Sequence, residues 1–190
     1  MDFVFVGGNL ALDFAGTLKW RRTHPEELLR TPGDLARWSV EAGVLTREPA
    51  LDGEDLRMLR GLREAVYRLV AAALDGRPWP GEDLGVLNRA ASAAPPRLTL
   101  GPGGLARDGG AAEIGAEVAR SAATLLAGMS PVMGPVMGPV MGSVRVRECA
   151  RPECTRLFVD RSRGGTRHWC GMEECGNRVK AANYRVRKKG

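Results

Sequence analysis

Apolar residues recur at helical spacing through most of the first 130 positions. The clearest run is DGEDLRMLRGLREAVYRLVAAALDG, where Leu56, Leu59, Leu62, Val66, Leu69, Val70, Ala73 and Leu74 keep the i, i+3, i+4, i+7 rule. Asp52, Glu54 and Asp55 crowd its start, where a helix favours negative charge. Arg57, Arg60, Arg63 and Arg68 are interleaved with acids and read as a solvated face. A shorter helix is predicted at TPGDLARWSVEAG. Thr31 serves as its N-cap, Pro32 as its first position and Gly43 as its stop, with Leu35, Trp38 and Val40 or Ala42 facing inward.

The same pattern places further elements. Asn9 caps a helix running through Leu10, Leu12, Phe14 and Leu18, and Phe3 to Val6 before it forms a short buried strand or an apolar arm. THPEE reads as a loop or helix start. PWPGEDLGVLNRAASAAPP suggests a helix stopped by Pro95 and Pro96, RLTL and LAR around GPGG a hairpin, and AAEIGAEVARSAATLLAG a final helix. GPGG lacks the Lys and Ser/Thr of a phosphate loop.

Periodicity stops at PVMGPVMGPVMG, residues 131–142. Proline at every fourth position removes backbone donors and glycine adds freedom, so this reads as a linker. It would span roughly 20 Å as a coil, or about 37 Å if extended, and would let the C-terminal segment move relative to the helical region.

Beyond it lie all four cysteines, in the order C-x4-C-x15-C-x4-C. Two close pairs separated by a hairpin's length let Cys149, Cys154, Cys170 and Cys175 converge on one structural Zn2+. Between the pairs, strands are predicted around Leu157–Val159 and Arg167–Trp169, joined by a Gly164-Gly165 turn, with Cys175 in the first turn of a terminal helix. This segment has too few apolar side chains to fold on a core alone, and a zinc ion supplies on the order of 10–16 kcal/mol. Two disulfides are the competing reading. Four thiolates leave no open position for a catalytic water. His168, two residues from Cys170, is an alternative to one of the four cysteines as ligand, and neither it nor His24 has a nucleophile beside it. Asp13, His24 and Glu26 form no catalytic constellation, so no enzyme activity is expected.

Charge sharpens the division. The chain of 190 residues carries a net +6, yet residues 143–190 hold 13 Lys and Arg against 5 Asp and Glu, while residues 1–142 are slightly acidic. A solvated face is the plain explanation of such a run; beside a metal knuckle, it favours a polyanion. On a terminal helix, Met172, Cys175, Val179, Ala182 and Val186 form a stripe for packing on the hairpin. Arg178, Lys180, Arg185, Arg187, Lys188 and Lys189 then point outward to phosphate. Asn177, Asn183, Arg178 and Arg185 are the candidates for reading base edges, with Asn177 and Arg178 equally able to bond the knuckle's own backbone. Trp169 and Tyr184 could stack unpaired bases, which keeps RNA open behind DNA. No apolar run reaches membrane-spanning length and the N-terminus lacks a basic signal region, so a soluble, cytoplasmic protein is expected.

Cys175-Gly176-Asn177-Arg178, with Leu157-Phe158-Val159-Asp160, Arg161-Ser162-Arg163 and Trp169-Cys170, resembles the CGNR zinc-finger family. GGNLALDFAGTL near the N-terminus resembles the ABATE domain that usually precedes that finger, although the family tends to have Asn where this chain has Gly16. The resemblance implies bacterial, often stress-related, transcription regulators. The expected fold is mainly α: a helical domain with a short hairpin over residues 1–130, the repeat over 131–142, and a treble-clef-like or ribbon-like zinc finger of hairpin and basic helix over 143–190. A protein-interaction finger, a ligand-sensing helical domain and assembly into homo-oligomers remain alternatives.

Overall fold

A computed structural model describes residues 2–129 and 144–179 of the chain. The N-terminal residues through Gly8 run as an apolar arm without strand pairing. Helix α1 (Leu10–Ala15) comes next, with the Asn9 side chain accepting from the amides of Ala11 at 3.0 Å and Leu12 at 3.4 Å. It ends at Gly16 instead of continuing to Leu18. Leu18 belongs to strand β1 (Leu18–Lys19), which pairs antiparallel with β2 (Glu26–Glu27). The THPEE segment therefore reverses into a small sheet, and His24 stacks on Trp20 at 4.7 Å.

Helix α2 (Pro32–Glu41) begins with a reciprocal cap between Thr31 and Asp34, and Gly43 at φ +72° ends it in the left-handed conformation. Trp38 and Leu35 face inward as expected, Ala42 and not Val40 packs against the core with them, and Ala36 and Ser39 are buried as well. Helix α3 (Gly53–Leu74) has the same kind of cap between Asp52 and Asp55 and is the spine of the body. Its buried stripe runs to Val70 and ends on Ala72, leaving Leu74 at the exposed C-terminal end. Helix α4 (Gly81–Ser92), the hairpin of β3 (Arg97–Gly101) and β4 (Gly104–Asp108), and helix α5 (Ala111–Met129) complete the body. Helices α3, α4 and α5 pack on one another, α1 lies across α3 and α5, and Phe14 meets Trp38 with ring centroids 4.6 Å apart.

Arg63 does not join the solvated face. It is 3% exposed and forks onto Glu27, with Nη1 2.6 Å from Oε1 and Nη2 2.7 Å from Oε2. The pair fastens β2 to α3, and Nη1 also donates to the buried Thr17 hydroxyl at 3.2 Å. Burial would push the Glu27 carboxyl up, but the Arg63 fork outweighs it and holds it below the usual range.

The segment after the repeat is not a free tail. Val144 donates its amide to the Gly128 carbonyl at 3.1 Å, so the chain re-enters beside the end of α5. Strand β5 (Val146–Glu148) pairs antiparallel with β6 (Leu157–Val159), and Val146, Leu157 and Val159 enter the core of the body. The N-terminal arm closes the junction, its Gly7 carbonyl accepting from Val159 N–H at 2.8 Å and its Val6 carbonyl from Arg167 at 2.9 Å. Thr155 Oγ1 accepts from the Arg21 amide at 3.2 Å. No helix among the described residues is long and apolar enough to cross a membrane.

Candidate metal centre and the basic surface beside it

Cys149 follows β5 and Cys154 precedes β6, so this pair forms the turn between two antiparallel strands. The turn is locked by Cys154 N–H on the Arg151 carbonyl at 2.9 Å and Cys149 N–H on the Arg156 carbonyl at 3.0 Å. Cys170 donates its amide toward the Cys149 sulfur at 3.5 Å. Cys175 sits in a π-helical turn, Met172–Gly176, whose Cys175 and Gly176 amides both reach the Gly171 carbonyl at 3.0 Å.

All four sulfurs are buried and lie within 4.8 Å of one another. They are free cysteines, with Cys154–Cys170 at 3.9 Å and Cys170–Cys175 at 3.7 Å. A disulfide needs about 2 Å. Tetrahedral zinc with Zn–S near 2.3 Å puts sulfurs about 3.8 Å apart, which these two separations match. Hydrogen bonds from the Cys154 and Cys170 thiols pull the Cys149 pKa down, while the neighbouring sulfurs push Cys170 up. Four sulfurs this close ionise together only around a cation, so the donor set fits one zinc ion.

The scaffold differs from the expected hairpin. Leu157–Val159 pairs with Val146–Glu148, which precedes the first cysteine, and not with Arg167–Trp169. Gly164 and Gly165 do make a turn, both at positive φ, but it closes back on Ser162 through Gly165 N–H to the Ser162 carbonyl at 3.0 Å. Asp160 anchors that loop by accepting from the Ser162 amide at 2.9 Å and hydroxyl at 2.6 Å, which holds its pKa below the usual range despite burial. The Ser162 hydroxyl in turn accepts from the amides of Thr166 at 2.8 Å and Arg167 at 3.1 Å.

Arg167 is the residue that the sequence concealed. Its guanidinium lies 4.3 Å over the Phe158 ring and donates to the carbonyls of Trp169, Cys170 and Val6. It binds the second half of the metal knuckle to the N-terminal arm of the body. In the sequence it is one more cation in a basic segment, and nothing local distinguishes it.

Asn177 and Arg178 are exposed and begin a helical turn directly after the π turn. Met172, expected on the packing stripe, is 45% exposed, because the π turn rotates it away from the side on which Cys175 is buried. Lys180, Asn183, Arg185, Arg187, Lys188 and Lys189 lie outside the described residues, as do Ala182, Tyr184, Val186 and the PVMG repeat. His168 is exposed at the surface, its carbonyl accepting from Ala150 N–H at 2.9 Å, and it is not among the clustered donors.

A knuckle between two strands and a helical turn, joined by four convergent sulfurs, defines a zinc finger. Residues 145–188 match the family model of the CGNR zinc finger. Residues 8–129 match that of ABATE, described as "Putative stress-induced transcription regulator", and the chain belongs to this family. Comparison with curated proteins returns no match.

Proposed function

We propose that this protein is a zinc-dependent transcription regulator that contacts DNA through its C-terminal finger and the basic segment continuing from it. The observation that carries this reading is the exposure of Asn177 and Arg178 immediately after the last buried cysteine. The cysteine cluster thereby fixes the start of a segment that has six Lys and Arg after Glu174 and no acid. Arg178, Lys180, Arg185, Arg187, Lys188 and Lys189 neutralise phosphates, which supplies affinity and register. Asn177 and Asn183 present amides suited to adenine edges, and Arg178 and Arg185 guanidiniums suited to guanine. Zinc held by four thiolates supplies a fixed fold; the reading assigns the chain no catalytic step and places it in the bacterial cytoplasm, in stress-responsive control of transcription.

The test is binding of the full chain to duplex DNA and to single-stranded RNA over a salt series, with zinc counted per chain and chelated in a parallel sample. One zinc per chain and chelator-sensitive duplex binding are expected, with log affinity falling against log salt at a slope near −4.5 if about five phosphates are neutralised. A flat salt response refutes the phosphate model, and preference for RNA replaces the target class.

A further inference from the structure

Away from the finger, helices α3, α4 and the start of α5 surround a cavity of about 540 Å³ that opens to solvent. Its accessible apolar wall is made by Met58, Val86, Ala90 and Ala93 over the buried Leu59 and Leu62, and its hollow exists because Gly61, Ala90 and Gly115 fill so little of it. Gly115 has a packing reason to be glycine, since a Cβ there would come within 3.2 Å of Leu59. Gly61 has none: a Cβ built on it meets nothing within 4 Å, although glycine in the middle of a helix costs stability. Gly61 is exposed at the rim of the hollow, and a larger residue there would reach over it.

Among the described residues, the charged side chains lining this space are three arginines, Arg57, Arg68 and Arg89. Arg57 pairs with Glu54, and Arg68 is forked by Asp83 at 2.6 and 2.9 Å. Arg89 is exposed, lies back over Gly85, and makes no ion pair with an acid among the described residues. Apolar walls of this volume, with cations and no acid among the lining residues described, complement a ligand with an apolar body and a single negative head.

We propose that this cavity binds a small apolar carboxylate, its hydrocarbon against Met58, Val86 and Ala90 and its carboxylate on Arg89. The proposal is independent of whether the finger contacts DNA. Titration of the full, zinc-loaded chain with decanoate, followed by calorimetry, tests it against decanamide, the neutral analogue of the same shape. Saturable one-to-one decanoate binding is expected, weakened about tenfold for decanamide and for Arg89→Gln, since a charge-assisted hydrogen bond is lost in each. Gly61→Leu should abolish binding while melting no lower than the native protein, because leucine is the better helix former and has open space to enter. Absence of saturable binding by the native chain, equal binding of the amide, or unchanged affinity in Gly61→Leu would each overturn the proposal.

Discussion

The body and the finger are held together by different physics. The body buries a continuous apolar cluster in which Trp38, Phe14, Leu59, Leu69 and Ile114 are almost fully covered. Residues 144–179 bury few large apolar side chains besides Phe158, and what converges there is sulfur, with Arg167 and Asp160 satisfying loop backbone. Yet the two are not separate objects. Val146, Leu157 and Val159 belong to the body's cluster, and the body's own N-terminal arm supplies carbonyls to the finger. Strands on either side of the metal knuckle thus share the core of the body, so the stability of each region is expected to depend on the other.

Removing the metal is the strongest way to break that coupling. Chelation, or Cys170→Ser, forfeits a term on the order of 10 kcal/mol for a structural zinc. Because β5 and β6 pack into the body, the body's helical melting transition is expected to fall as well, and circular dichroism with and without chelator reads it. A body transition that stays in place would show the two regions to be energetically separate.

Arg63 tests the body alone. Arg63→Met leaves Glu27, a quarter exposed, with Arg60 at 3.5 Å and the Leu29 amide as its remaining partners, at a cost of about 3 kcal/mol, the low end for breaking a buried pair, whereas the double variant Arg63→Met/Glu27→Leu should recover most of it. Urea unfolding of the three proteins decides this. A single variant as stable as the native chain would mean that the fork is replaceable by water.

Asp13 reports on the junction. Burial pushes its carboxyl up to about 6, against the pull of the Gly7 amide and of Arg156, which comes from the finger. The native state therefore holds this proton more tightly than the unfolded chain, so the Asp13 contribution declines as pH rises from about 4 to 6 and is level above. At pH 7 the cost is about 3 kcal/mol, at 1.36 kcal/mol per pKa unit. Asp13→Asn, whose side-chain oxygen can still accept from Gly7, should remove that slope, read as the difference between zinc-loaded native and variant proteins at pH 5 and 7. Parallel profiles would place the carboxyl in water.

The smallest effect is expected from the repeat. Its flanks meet at Gly128 and Val144, so it closes a loop and does not set the distance from body to finger. Deleting one PVMG unit should change stability by less than about 0.5 kcal/mol, the loop-closure difference for such lengths, measured by thermal unfolding. A large loss would show that the repeat itself is part of the fold.

The contrast between local and long-range interactions also explains what could be read in the sequence. Helices α2, α3 and α5 were legible because caps and apolar spacing act within a few residues, and the cysteines because metal coordination demands soft ligands in close pairs. The strand partner of Leu157–Val159 was not. A Gly-Gly turn ahead of Arg167–Trp169 has the local chemistry of a hairpin, but Asp160 and Ser162 capture that turn, and the vacant edge is taken by Val146–Glu148. Likewise Arg63 and Arg167 carry the same side chain as their exposed neighbours, and only the arrival of Glu27 and of the arm's carbonyls gives them structural roles.

The sequence by itself determined helices α2 to α5, the Asn9 and Thr31 caps, the metal ligands and the polarity of charge along the chain, because each depends on neighbours a turn or a knuckle away. Tertiary structure alone decided that the finger is docked, that Arg63 is internal and Arg167 ties the finger to the arm, and that α3, α4 and α5 leave a cavity beside Gly61. Those outcomes depend on which surfaces meet after the local elements exist, and no short stretch of sequence carries that information.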